Sequence, residues 1–176
     1  MLKLKDLNYK SSEKLFITIG SNINPEDNIN LAIAQLEQSF GEIQLSRLYR
    51  SQAVFGPQSS EPQDDYINGA ILTKSNLSSF SIKFNILRKI ETRLGRVRTA
   101  DKFASRTIDL DIAFYGSIII DESNIRIPDP EIIKRGYLIS PLCDLDPEYY
   151  HPEENISLLE IKNKVDVSNL EIFNFN

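Results

Sequence analysis

Two aspartates two positions apart, Asp109 and Asp111, stand in the segment Arg106-Thr107-Ile108-Asp109-Leu110-Asp111-Ile112. On a strand, successive side chains point to opposite faces, so Ile108, Leu110 and Ile112 share a core face and the two carboxylates share the other. Two residues of rise separate the carboxylates by about 6–7 Å, a spacing at which they can share one divalent cation or flank two. Hard oxygen donors with no histidine or cysteine beside them suit Mg²⁺ rather than zinc. The bland alternative is polar alternation on a half-exposed strand, against which stands the low strand propensity of Asp. Just before this pair lies the one strongly basic stretch. From Arg88 to Arg106 there are seven basic side chains and two acids, in a chain of net charge -5. Arg88, Lys89 and Arg93 read as the solvated face of a helix. Arg96 and Arg98, past a helix stop at Gly95, fall on one side of an extended segment and point toward the carboxylates. Arginines beside acidic metal ligands suggest a nucleotide polyphosphate with Mg²⁺. Neither GxxxxGK followed by Ser or Thr, nor GxGxxG, occurs, so those nucleotide folds are excluded.

Three further groups are candidates. Gly20-Ser21-Asn22 ends an apolar run and is either a structural turn or a backbone cradle for a ligand. Tyr66 and Asn68, at i and i+2, set a flat ring beside an amide that both donates and accepts, which suits a heteroaromatic ligand or an ordinary packed pair. Phe55, in Val54-Phe55-Gly56-Pro57, is a lid tip or a packed anchor. His151 reads as a rim residue, and Cys143 as a small buried apolar side chain. One cysteine and one histidine exclude a disulfide framework, a thiolate site and a His-rich metal centre.

The elements that must position these groups are legible from periodicity. Leu15–Gly20 is a short buried strand. Asn24-Pro25-Glu26-Asp27 opens a helix in which Ile29, Ile33, Leu36 and Phe40 recur at helical spacing, and Gly41 ends it. Ile43–Arg50 is a second strand, 51–65 a long loop, and Tyr66–Thr73 a third strand. Ser78 caps a second helix with Phe80, Phe84, Leu87 and Leu94 on one side. Ile108–Tyr115 is a fourth strand with clean alternation, Ile118–Ile120 with Ile125–Ile127 a hairpin, and 130–134 a short helical segment before an acidic tail. The order strand-helix-strand-strand-helix-strand predicts an α+β, ferredoxin-like βαββαβ core with a mostly antiparallel sheet and helices on both faces. Its additions are the hairpin and a C-terminal segment. Residues 1–14 read as an extension and 15–176 as one domain. With 176 residues, 41% of them hydrophobic, the chain has material for one core. The acidic balance argues against a general nucleic-acid binder, and no apolar run is long enough to span a bilayer. No signal-peptide pattern opens the chain, so a cytoplasmic protein is expected.

Taken together, Gly20-Ser21-Asn22, Phe55-Gly56-Pro57, Asp65-Tyr66-Ile67-Asn68, Gly95-Arg96-Val97-Arg98, Ser105–Asp111, Ile127-Pro128 and Lys134-Arg135-Gly136-Tyr137 resemble the 6-hydroxymethyl-7,8-dihydropterin pyrophosphokinase family, in order from about residue 15 to 152. Arg-Thr-Ile-Asp-Leu-Asp after Gly-Arg-Val-Arg is its most specific part. The resemblance implies transfer of pyrophosphate from ATP to a pterin hydroxymethyl group in folate biosynthesis, with AMP released, two Mg²⁺ ions used and no partner beyond the small molecules. A monomer is expected. It implies Asp109 and Asp111 as metal ligands and, with Arg96 and Arg106, as the catalytic set. Glu91, Arg98, Arg106, Ile112 and Arg135 would bind the nucleotide. Ser51, Gln52, Val54, Tyr66, Asn68 and Tyr137 would bind the pterin, the two tyrosines enclosing it and Asn68 reading its edge. The chain departs from the family where Asp129 replaces a histidine after Pro128, and where Phe103-Ala104-Ser105-Arg106 replaces an aromatic-Gly-Pro-Arg segment.

With no Ser-His pair or placed cysteine, direct attack of the pterin hydroxyl on the β-phosphorus is the expected mechanism. The rival readings are a regulatory module that binds pterin or nucleotide without turnover, a two-metal nuclease, and an RNA-binding module of similar fold. The last lacks exposed aromatics on a basic sheet.

Overall fold

The computed structural model describes residues 12–53, 64–98 and 104–175. β1 (Glu13–Ser21) begins two residues before the expected strand and leads into α1 (Pro25–Phe40). Pro25 opens that helix as expected and Gly41, at φ 80°, closes it, but Asn24 is left-handed and its side chain caps nothing. Within the first turn, Asn28 Nδ2 donates to the Ile23 carbonyl at 2.7 Å and ties the helix to the preceding segment. The expected second strand is broken in two, β2 (Gln44–Leu45) and β3 (Leu48–Ser51). At the break the Ser46 hydroxyl accepts the Ala70 amide at 2.9 Å, a place the ladder would otherwise give to a carbonyl.

β4 (Tyr66–Ser75) pairs with β1 without interruption from Ser21↔Ile67 to Glu13↔Ser75. A π-helical turn (Ser81–Leu87) continues into α2 (Arg88–Arg93). The π-turn shifts the register of the buried face, which corrects the expected one: Ile82, Leu87 and Ile90 enter the core, while Phe80 is 62% exposed and stacks on Phe84. β5 (Asp109–Tyr115) pairs with β1 antiparallel, and the hairpin forms as β6 (Ile120–Glu122) and β7 (Ile125–Ile127). Residues 130–134 are turns, not the expected helix; the helix starts later as α3 (Gly136–Leu145). The acidic tail is structured, with α4 (Leu158–Lys162) and β8 (Glu171–Phe173) pairing with β3.

The sheet order is β5-β1-β4-β3-β8, every pairing antiparallel, with β2 beside β4. With β2 and β3 as one broken strand, this is the ferredoxin-like arrangement with β8 added at an edge. Helices cover both faces. Ile29 and Leu36 of α1 and Leu87 and Ile90 pack against Leu15, Ile17, Ile19 and Ile112 on one face. Ile139 and Leu142 of α3, with Leu158 and Ile161 of α4, pack against Phe16, Ala70 and Phe114 on the other.

One irregularity matters for the site. The β1–β5 register slips between Phe16↔Phe114 and Ile17↔Ile112, so Ala113 is a bulge and the clean alternation expected of β5 stops there. Phe114 therefore packs on the same face that carries Asp109 and Asp111. On that face β1 carries Phe16, then Thr18, then Gly20. Side chains shrink toward the strand's end, and the layer of α3 and α4 gives way to a cavity.

Candidate functional site

The cavity holds about 580 Å³ and lies between this sheet face and the start of α3. Gly20 is its floor: a Cβ there would meet Asn68 Oδ1 at 3.4 Å and Asp109 Cβ and Tyr66 Cδ1 at 3.9 Å. A larger side chain would fill the space those three residues face. The roof is set by Gly136, the first residue of α3, where a Cβ would lie 2.5 Å from the Asp166 carbonyl oxygen. Only a glycine lets the helix start so close to the C-terminal segment, and that contact fixes Tyr137 and Leu138 over the cavity.

Ser21 and Asn22 resolve the two readings of their turn in favour of structure. Ser21 donates its hydroxyl to the Thr107 carbonyl at 2.6 Å, and Asn22 Oδ1 accepts the Arg106 amide at 2.8 Å. Asn22 Nδ2 donates to Ser105 Oγ at 3.2 Å. These bonds pin the segment that delivers Arg106 and Asp109, so the turn is a positioning device.

At the charged end, Asp109 accepts from Arg96 Nη1 through one oxygen and from Arg106 Nη1 at 2.5 Å through the other. Burial alone would raise the Asp109 pKa, but the two guanidinium groups outweigh it and hold the carboxyl below its usual range. Arg96 also pairs with Glu91, which is 2% exposed, accepts the Leu110 amide at 3.0 Å and pairs with Arg98. Here burial wins, and Glu91 is pushed upward despite the Leu110 amide and Arg96. Asp111 faces Lys83 Nζ at 2.9 Å and accepts the Ile112 amide at 2.9 Å. Asp129 lines the same cavity, and burial raises its pKa, with the Asp111 and Glu131 carboxylates adding to the rise. Arg135 is tethered to Glu131 at 2.9 Å.

The other end is neutral. Asn68 Nδ2 donates to Ser51 Oγ at 2.9 Å, both residues buried. Tyr66 donates to the Ala104 carbonyl at 3.4 Å, and burial raises the pKa of both Tyr66 and Tyr137. Tyr66 and Tyr137 line one cavity from β4 and from α3, elements far apart in sequence.

Of the residues singled out in the sequence, Ser51, Gln52, Tyr66, Asn68, Arg106, Asp109, Asp111, Arg135 and Tyr137 line this cavity. Arg96 reaches it through Asp109, and Glu91 and Arg98 stand behind Arg96. Ile112 does not join them: its side chain is fully buried in the core on the opposite sheet face. Val54 lies outside the described residues, as does Phe55. His151 is no rim residue: it is 2% exposed, Nδ1 accepts the Glu153 and Glu154 amides, and the ring meets Phe114 edge-on. Cys143 is buried, as expected. Sequence reasoning missed Thr18, Glu131 and Lys83. Thr18 was readable from β1 alternation and Glu131 from its i,i+4 spacing to Arg135, whereas Lys83 depends on the π-turn.

The donor set fits a hard cation. Among the described residues, no group of three or more His, Cys, Asp or Glu side chains is placed to hold a metal ion alone. Two carboxylates suit Mg²⁺, which keeps waters and takes its remaining ligands from substrate phosphates.

Residues 16–147 match the family described as 7,8-dihydro-6-hydroxymethylpterin-pyrophosphokinase (HPPK). The chain is 35% identical to the 2-amino-4-hydroxy-6-hydroxymethyldihydropteridine pyrophosphokinase of a Synechocystis species, over 85% of this chain and 75% of that protein. It is 30% identical to the protein of the same name from Haemophilus influenzae, over 86% of this chain and 92% of that one. Among solved structures, an HPPK-DHPS of Plasmodium falciparum superposes with a TM-score of 0.68 at 14% identity, covering 93% of this chain and 47% of that chain. The present chain thus spans about half of that solved protein.

Proposed function

The chain belongs to the 7,8-dihydro-6-hydroxymethylpterin-pyrophosphokinase family, and on that premise we infer that it transfers pyrophosphate from ATP to the hydroxymethyl group of 6-hydroxymethyl-7,8-dihydropterin in folate biosynthesis, releasing AMP. The observation that supports this most is one cavity with two unlike ends, a carboxylate pair among cations and a neutral amide-aromatic pocket.

In this reading the pterin enters between Tyr66 and Tyr137, with Asn68, Ser51 and Gln52 around its polar edge. An aromatic pair and an oriented amide recognise a flat heterocycle by stacking and by complementary donors and acceptors. Asp109 and Asp111 would hold Mg²⁺, two ions in all, which would supply positive charge beside the nucleotide's phosphates. The triphosphate lies against Arg96, Arg98, Arg106 and Arg135. Arg96 and Arg106 are held beside the cavity by their pairing with Asp109, and their remaining guanidinium donors would face the phosphates. Glu91 anchors Arg96 and Arg98 from beneath. The pterin hydroxyl attacks the β-phosphorus directly. Alignment of the two substrates accounts for roughly 7–11 kcal/mol of the barrier, and fixed cations stabilise charge on the transferred group. Residues 15–176 act as one catalytic domain, as a monomer in the cytoplasm; among the described residues no helix is long and apolar enough to cross a membrane.

The test is product analysis with ATP, Mg²⁺ and 6-hydroxymethyl-7,8-dihydropterin. Pterin-dependent AMP, and no ADP, is the expected result. Binding of both substrates without AMP would instead support a regulatory module that has lost turnover, a reading that Asp129 favours by placing a further carboxylate beside the phosphates.

A further inference from the structure

The two aspartates of β5 are neutralised from different places. Asp109 is met by arginines from its own surroundings in sequence, Asp111 by a lysine from the π-helical turn, on the far side of α2. Lys83 Nζ lies 2.9 Å from Asp111 Oδ1 and 3.3 Å from Oδ2, so one ammonium spans both oxygens. The lysine side chain is 16% exposed and the aspartate 42%. The carboxylate is thus open to the cavity while its charge is met from the protein side. A cation ligated by Asp111 and an ammonium in contact with both of its oxygens compete for the same lone pairs and repel one another. The ammonium has somewhere to go. Asp129 lines the same cavity as Asp111, the Lys83 charge favours its ionised form, and its carboxylate accepts one described hydrogen bond, from the Glu131 amide at 2.9 Å.

We propose that Lys83 is the resident counter-ion of Asp111, which a divalent cation must displace, and that the displaced ammonium moves to Asp129 and neutralises it beside the incoming phosphates. This rests on the reading of Asp109 and Asp111 as metal ligands. Lys83 is then a positioning residue with two effects. It raises the divalent-cation concentration the empty site requires, and it offsets the repulsion that Asp129 would otherwise exert on a nucleotide.

The probe is Mn²⁺, titrated into the full chain without nucleotide and followed by the paramagnetic resonance of the free ion. Lys83→Met and Lys83→Gln should both bind Mn²⁺ about tenfold more tightly than the wild type, because a full positive charge has left the site. Lys83→Arg, which keeps the charge, should stay near the wild type. A purely structural role predicts unchanged or weaker binding in all three variants, and that result, or equal tightening in Lys83→Arg, would overturn the proposal. Asp111→Asn separates the two levels. If it binds Mn²⁺ as the wild type does, the metal reading itself fails and takes the proposal with it. If it loses Mn²⁺ while Lys83→Met gains nothing, only the proposal fails. For the second effect, Lys83→Met should weaken binding of a non-hydrolysable Mg·ATP analogue, and adding Asp129→Asn should restore it. A double variant no better than Lys83→Met would remove Asp129 from the account.

Discussion

The two ends of the cavity are built on opposite principles. At the Asp109–Asp111 end every carboxylate that faces the cavity has a charged partner or a raised pKa, and the partners come from separate segments: Lys83, Arg96 and Arg106. At the Tyr66–Asn68 end the groups are neutral and satisfied at short range, as in the Asn68–Ser51 hydrogen bond between adjacent strands. The charged end is a set of mutual neutralisations that a ligand must rearrange, whereas the neutral end is preformed. Chemistry is therefore expected to fail at one end with recognition intact, and recognition to fail at the other with chemistry intact.

The largest separation is expected from Asp109→Ala or Asp111→Ala. Each should cut turnover by 10²-fold or more, on the order of what a lost charge-stabilising group costs, while steady-state KM for the pterin changes little. Arg96→Ala should lower kcat by a comparable factor, and it should also destabilise the fold, because Glu91 is 2% exposed and loses one of its two cations. Urea denaturation should register about 3 kcal/mol, the scale for breaking a buried pair. Preserved stability would mean that Arg98 and the Leu110 amide suffice.

How much of this was readable in the sequence divides along the same line. The carboxylate face of β5 followed from strand alternation over Ile108–Ile112, and α1 from Pro25, its apolar spacing and Gly41. What was not readable depended on irregular backbone. The Ala113 bulge, the Ser46 break and the π-turn at 81–87 each shift a register by one residue, and no periodicity signals them. The π-turn turned Phe80 outward and Lys83 toward Asp111. Ile112 was carried into the site by resemblance alone, although its own position in the alternation already put it in the core. The acidic tail gave little hint of α4 and β8, since its burial rests on contacts with distant elements such as Gly136 against Asp166.

At the neutral end, Asn68→Ala should raise the pterin KM about tenfold, the cost of roughly one buried hydrogen bond, with kcat at saturating pterin close to wild type. A matching fall in kcat would blur the division. The smallest effect serves as a control from outside the cavity. Burial holds the His151 imidazole below its ordinary 6.5, against the pull of Glu153 and Glu154. The folded protein therefore keeps it neutral while the unfolded chain protonates it, so stability is lost as the pH falls below about 6.5. His151→Gln should flatten that part of the stability profile without altering pterin affinity; a profile unchanged by the substitution would place the acid sensitivity elsewhere.

The division between the ends is tested most directly by titrating 6-hydroxymethyl-7,8-dihydropterin into Asp111→Ala and following its fluorescence, with AMP formation measured on the same samples. The account predicts wild-type pterin binding and almost no AMP. Loss of pterin binding together with AMP would show that the two ends are one coupled site and would contradict it.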